Sequence, residues 1–196
     1  AGMLANNENN GAGYTDDYFP NNYAYIRKAW LVYENIDKVA DMSDRDKAIV
    51  KAEMQVLVAF RYVEMLKRYG GVPLVESTLT TVDVRPRSTV QQTLDFIVGL
   101  CDAAAATLEG VRWPADWLGR VNKGVVLAVK AEALMYAARP LFNADAPYMQ
   151  MADPANNEMI WLGGYDAKRW ETARLANQEV IDWGKANGFE LIDTGD

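Results

Sequence analysis

Between residues 14 and 22 the chain sets three aromatic rings among acids and amides: Tyr14, Tyr18 and Phe19 beside Asp16, Asp17, Asn21 and Asn22. Flat aromatic faces hold the C–H side of a sugar ring, while carboxylates and amides bond its hydroxyls. The chemistry on offer is reversible binding of a carbohydrate. Tyr14, Asp17, Tyr18, Phe19, Asn21 and Asn22 are therefore the candidate ligand-binding residues, with packing inside the loop as the competing use of the same rings. Trp113, Trp117, Tyr148 and Trp161 also fall off any helical stripe. The first two flank Pro114 in a connection, where an aromatic often plugs the end of a helical bundle.

Bond-breaking chemistry has little to work with. A glycosidase needs two carboxylates at a defined separation. Asp16 with Asp145 or Asp153 are the candidates, and nothing in the sequence fixes their distance. Glu53 and Glu132 read more simply as solvated helix faces or ion pairs. The chain has no histidine, which removes the usual proton shuttle and metal ligand near neutral pH. No phosphate-cradling glycine loop or metal-ligand spacing occurs, and Asp16 next to Asp17 is a weak calcium signal. The expectation is a non-enzyme with no catalytic residue, metal or cofactor.

The totals agree with a binding protein of ordinary solubility. Lys plus Arg number 20 against 27 for Asp plus Glu, a formal charge of -7. Phosphate backbones call for clustered basic residues, so nucleic acid is not an expected partner. Cys101 is the single cysteine, which excludes an intrachain disulfide framework. It lies on a helical stripe and reads as a small buried hydrophobe. No apolar run reaches the length of a membrane span. The opening "AGMLANNENNGAG" reads as a polar loop entered partway, with more chain expected upstream.

Helical spacing must position these residues. Tyr23, Ile26, Trp30, Tyr33, Ile36 and Val39 draw one stripe over 21–40. Ser43 with Asp46 resembles a capping box ahead of a helix over 44–69. That helix carries two stripes, one of Ile49, Ala52, Val56, Ala59, Val63 and Leu66, the other of Met54, Val58, Tyr62, Met65 and Tyr69. Two apolar faces require two packing partners. Gly70 is placed to end the helix in a left-handed conformation, with Lys67 and Arg68 in the last turn. Pro73 forbids its resumption, so "VPLVES" is expected to cross the bundle surface as extended chain. Ser88 and Gln91 suggest a second capping box, ahead of a helix near 89–109 with Val90, Leu94, Ile97, Cys101, Ala104 and Leu108 inward. Further helices are predicted over 122–139 and over 167–187, the last with Trp170, Ala173, Ala176, Val180 and Trp183 on one face and Gly188 as its stop. Residues 140–165 are the least regular part. The 34-residue offset from Ser88 to Asn122 equals a tetratricopeptide unit, although no period holds throughout.

The stretch "KAEMQVLVAFRYVEMLKRYGGVPLV" resembles the hallmark of the SusD/RagB-like outer-membrane lipoproteins. Glu53, Leu57, Ala59, Tyr62, Leu66, Tyr69, Gly70, Gly71, Val72, Pro73 and Leu74 match it, with Val58 where arginine is usual. "GRVNKGVVLAVKAEALMYAARPLFN" is similar to a second family block, with Arg139 in place of serine. "RWETARLANQEVIDWGKANGFEL" and "YAYIRKAWLVYENIDKV" resemble two more. In the latter Trp30 replaces a frequent Asn, which predicts a lost polar contact. The four blocks cover most of 23–192.

The resemblance implies an all-α, tetratricopeptide-like layer, 1–196 being part of one SusD-like domain whose upstream and downstream parts are absent. It also implies a glycan-binding subunit at the cell surface, held to the outer membrane by an upstream lipid anchor. The implied partner is a SusC-like TonB-dependent transporter, covered like a lid. Binding aromatics in starch-binding members come partly from a loop ahead of the first matched helix, to which "NNGAGYTDDYFPNN" corresponds by position. The alternatives are a peptide-binding or purely protein-interacting member of the same fold and, further off, a glycoside hydrolase.

Overall fold

The structure, a computed structural model, describes residues 19–79, 84–117 and 119–190. Among the described residues five helices carry it: α1, Phe19–Asn35; α2, Asp44–Tyr69; α3, Val90–Thr107; α4, Lys123–Ala138; and α5, Ala167–Ala186. Short 3-10 turns cover Ile36–Lys38, Ala115–Trp117 and Pro154–Met159. There is no strand among the described residues. Each helix packs on the next in chain order, and α2 also touches α4. The result is the all-α, tetratricopeptide-like layer that the family resemblance implies.

The two stripes of α2 explain its central place. Ile49, Ala52, Val56, Ala59, Val63 and Leu66 are buried on one side, and Val58, Tyr62 and Met65 on the other. The predicted inward residues of α3 are all buried too, Cys101 among them. α1 is shorter than the 21–40 expected, because Ile36–Lys38 tightens into a 3-10 turn and Val39 is extended. On α5 only Ala173 and Ala176 of the predicted face are buried, and Trp170 is exposed. Gly188 follows that helix with φ +78°, as a stop residue should.

Caps set the register. Ser43 accepts from the Asp46 amide as expected. The second capping box sits one residue later than predicted, on Thr89 and Gln92. "RSTVQQ" offers both pairs at the same spacing, and the choice is made elsewhere: the Ser88 amide donates to Val72 O (3.3 Å), which ties Ser88 to the chain leaving α2.

That chain is a strap, residues 71–78, and it is more deeply seated than a surface crossing. Val72 is wholly buried. Gly70 ends α2 at φ +74°, ψ -131°, so the conformation is positive-φ but not the left-handed helical one expected. A side chain there would also meet Met159 O at 2.4 Å, and one on Gly71 would meet Ser88 O at 2.0 Å. Both glycines are required by close approach of backbone to backbone.

Val72 O takes the Ser88 amide and the Gly71 amide donates to Met159 O (2.7 Å), while other polar groups of the strap find side chains. Tyr23 Oη donates to Pro73 O (2.6 Å), as does Tyr62 Oη (3.2 Å), which in turn accepts from the Val75 amide (2.8 Å). Arg85 binds Leu74 O (2.8 Å), and Arg87 binds Gly71 O (2.8 Å) and Tyr69 O (2.5 Å). Trp30 Nε1 donates to Val75 O (2.8 Å). Trp30 thus keeps a polar contact of its own through its indole N–H. An unmatched buried amide or carbonyl costs about 1–3 kcal/mol, which gives these residue types their purpose.

Candidate functional site

Of the predicted binding residues, Tyr14, Asp17 and Tyr18 lie outside the described residues, as does Asp16. Phe19, Asn21 and Asn22 form the first turn of α1. The Phe19 ring packs at 5.0 Å from Tyr23 and edge-on at 5.4 Å from Tyr69. Asn22 is buried, and Asn21 is exposed. The Phe19 cluster therefore borders the root of the strap.

A second aromatic group stands in the connection between α3 and α4. Trp113 packs against the core and donates its Nε1–H to Val121 O at 2.8 Å. This is the plug that the sequence suggests. Trp117 behaves differently: it is 51% exposed, with its ring centred 5.9 Å from that of Trp113. The Arg120 guanidinium lies 3.7 Å from the Trp113 ring centre and 4.7 Å from that of Trp117. Such cation–ring contacts orient both partners. Arg120 is itself fixed by Glu53 of α2, through Nε–Oε1 at 2.9 Å and Nη2–Oε2 at 2.5 Å. Glu53 is buried, so the helix-face acid that reads as solvated or paired is a paired one.

Two clefts meet at Trp117. One, of about 350 Å³, is lined by Asp41, Met42, Asp46, Ile49, Val50, Trp113, Trp117 and Arg120. The other is a shallow, open surface over Asp116, Trp117, Gly119 and Arg120. The first falls in the size range of small-ligand sites, and both combine apolar surface with a few polar groups. In sequence the two tryptophans of "RWPADW" carry no signal that separates them; they differ because Val121 O takes the N–H of Trp113.

Most of the remaining candidates serve structure. Tyr148 is exposed, whereas Trp161 donates to Ala144 O at 2.7 Å. Asp153 caps the turn at Pro154 by accepting from the Ala155 amide. Glu132 pairs with Lys67 at 2.9 Å. Asn143, unremarked in the sequence except inside "PLFN", is buried and acts as a hub. Its amide donates to Ala138 O and Asp166 O, and its oxygen accepts from the Asp166 amide and Arg169. It ties the end of α4 to the start of α5. Burial pushes the Cys101 thiol up to about 12, so it is not a nucleophile at neutral pH. Among the described residues no cluster of acids and cysteine is arranged to hold a metal ion.

The sequence and fold place this chain with known proteins. A SusD-like family model, described as starch-binding associating with outer membrane, matches residues 2–139. The chain belongs to that SusD-like family. Among solved structures, BT4246 shares 29% identity at a TM-score of 0.76, covering 88% of this chain and 30% of its own. A SusD-like protein from Bacteroides fragilis shares 26% identity at 0.67, covering 91% of this chain and 28% of its own. A structure described with a xylogluco-oligosaccharide shares the fold at 21% identity and a TM-score of 0.60, covering 82% of this chain and 28% of its own. The chain thus spans about a third or less of the length of these structures. No curated protein matches it.

Proposed function

We propose that this chain is the helical part of a cell-surface glycan-capture subunit. It is lipid-anchored in the outer membrane and passes oligosaccharide, unaltered, to a TonB-dependent transporter. The observation that carries this reading is the match over 2–139 to a family described as starch-binding and associated with the outer membrane. The solved relative with a xylogluco-oligosaccharide supports it through the shared fold. In this reading the strap and helices supply a rigid platform, and aromatic-bearing loops at its ends, including Tyr14, Asp17, Tyr18, Phe19, Asn21 and Asn22, meet the sugar. A pre-formed platform suits capture, because little conformational entropy is lost on binding.

The test uses tagged full-length protein purified from detergent-solubilised outer membranes. A β-barrel transporter is expected to co-elute, and incubation with oligosaccharides is expected to release no new reducing ends. Elution without any transporter would overturn the delivery role, and new reducing ends would make the protein a hydrolase.

A further inference from the structure

We propose that Trp117 is the stacking platform for one sugar ring of a neutral glycan, with Asp41 and Asp46 accepting from that ring's hydroxyls. This rests on the glycan-capture reading and adds to it a site and a charge class.

Trp113 and Trp117 come from one short connection but are used in opposite ways. Trp113 has its N–H bonded and its ring against the core. Trp117 leaves half its surface in solvent. Yet its surroundings are built: the Arg120 guanidinium lies against both rings and is itself clamped by buried Glu53. A large aromatic that is both exposed and braced is the arrangement a stacking surface needs, since its orientation is fixed before the ligand arrives. The cleft beside it supplies an apolar floor from Met42, Ile49 and Val50 and carboxylates from Asp41 and Asp46. That mixture suits the C–H face and hydroxyl edge of a pyranose.

The charges select the class. Glu53 matches Arg120, which leaves Asp41, Asp46 and, in the adjoining cleft, Asp116 as net negative charge around Trp117. Carboxylates accept from neutral hydroxyls but repel the uronates of an acidic polysaccharide.

Affinity electrophoresis of the full-length protein tests this, in native gels containing xyloglucan, amylopectin or polygalacturonate. The wild type should be retarded by a neutral polysaccharide and not by polygalacturonate. Trp117→Ala should weaken that retardation at least about tenfold, as removal of a central aromatic does, and Trp117→Phe should restore most of it. Acrylamide should quench a Trp117 component in the full-length protein, and the neutral polysaccharide should protect it. If Trp117→Ala fails to fold, as read by circular dichroism, Asp41→Asn carries the test and should weaken retardation several-fold. Wild-type retardation in the folded Trp117→Ala variant, or in Asp41→Asn where that variant carries the test, overturns this site and leaves the glycan reading standing. So does a Trp117 shielded from quencher without ligand. Preference for polygalacturonate overturns the charge class. A wild type that none of the three polysaccharides retards overturns both the site and the reading beneath it.

Discussion

Arg120, in the connection ahead of α4, closes a two-point ion pair on Glu53 of α2, 67 residues earlier in the chain. The parallel N–H donors match the two carboxylate oxygens, a geometry that lysine cannot reproduce. Removing one partner of a buried pair leaves the other charge uncompensated. Arg120→Ala is therefore expected to destabilise the full-length protein by about 2–4 kcal/mol, and Arg120→Lys by nearly as much. Glu53→Gln, which keeps an acceptor and removes the charge, should cost less than either. Urea denaturation measures all three.

Tyr62 holds the strap at two points, accepting from the Val75 amide and donating to Pro73 O. Tyr62→Phe leaves an amide beneath the strap without its partner and should cost about 1–3 kcal/mol. Tyr23→Phe should cost less, because Pro73 O keeps the Tyr62 hydroxyl. The two phenols share one acceptor, so their effects should not add. Hydrogen exchange at Val75 should quicken in Tyr62→Phe and hardly change in Tyr23→Phe.

Glycine substitutions separate close approach from mere flexibility. Gly71→Ala would force a methyl to within 2.0 Å of Ser88 O. Since both sides of that contact are backbone, it should cost about 2–4 kcal/mol, lowering Tm by about 4–16 °C for a chain of this size. Gly99, inside α3, has open space around its Cα. Gly99→Ala should raise stability by about 0.5–1 kcal/mol through helix propensity alone.

Alkali should unfold the protein through its buried acids. Burial raises the Cys101 thiol from 9.0 to about 12 and raises the phenols of Tyr23 and Tyr62 above 10.0. Each group keeps its proton in the folded state at a pH where the unfolded chain has lost it. Their contribution is fully present below about pH 9 and is lost as pH rises toward 12. A denaturation midpoint that stays flat over that range would contradict the burial of these groups. In the same vein, a thiol reagent at pH 8 should modify Cys101 only after denaturant is added.

Much of this architecture is legible in the sequence because α2 and α3 carry regular stripes, and regular stripes become buried faces. The glycine pair and Pro73 mark the strap's start, and Cys101 declares its burial by its place on a stripe. What the sequence leaves open depends on contacts between distant segments. Thr89 wins over Ser88 as a cap only because Val72 O claims the Ser88 amide. The Trp30 indole N–H has its partner only because the strap brings Val75 O within reach. Trp113 and Trp117 look alike in "RWPADW" and part company only when Val121 O takes the N–H of one. Glu53 cannot be told from a solvated acid until Arg120 folds over it. Of the candidate site residues, Phe19, Asn21 and Asn22 fall on the first turn of α1, and the local sequence could not say that Asn22 would be buried while Asn21 stays exposed.

Isothermal titration of the full-length protein settles the cargo most directly. Xyloglucan oligosaccharides, maltoheptaose and a tryptic peptide pool are injected in turn under one buffer. Saturable heat from a neutral oligosaccharide, with none from peptides, is the result predicted. Saturable heat from the peptide pool alone would contradict glycan capture as the work of this helical platform.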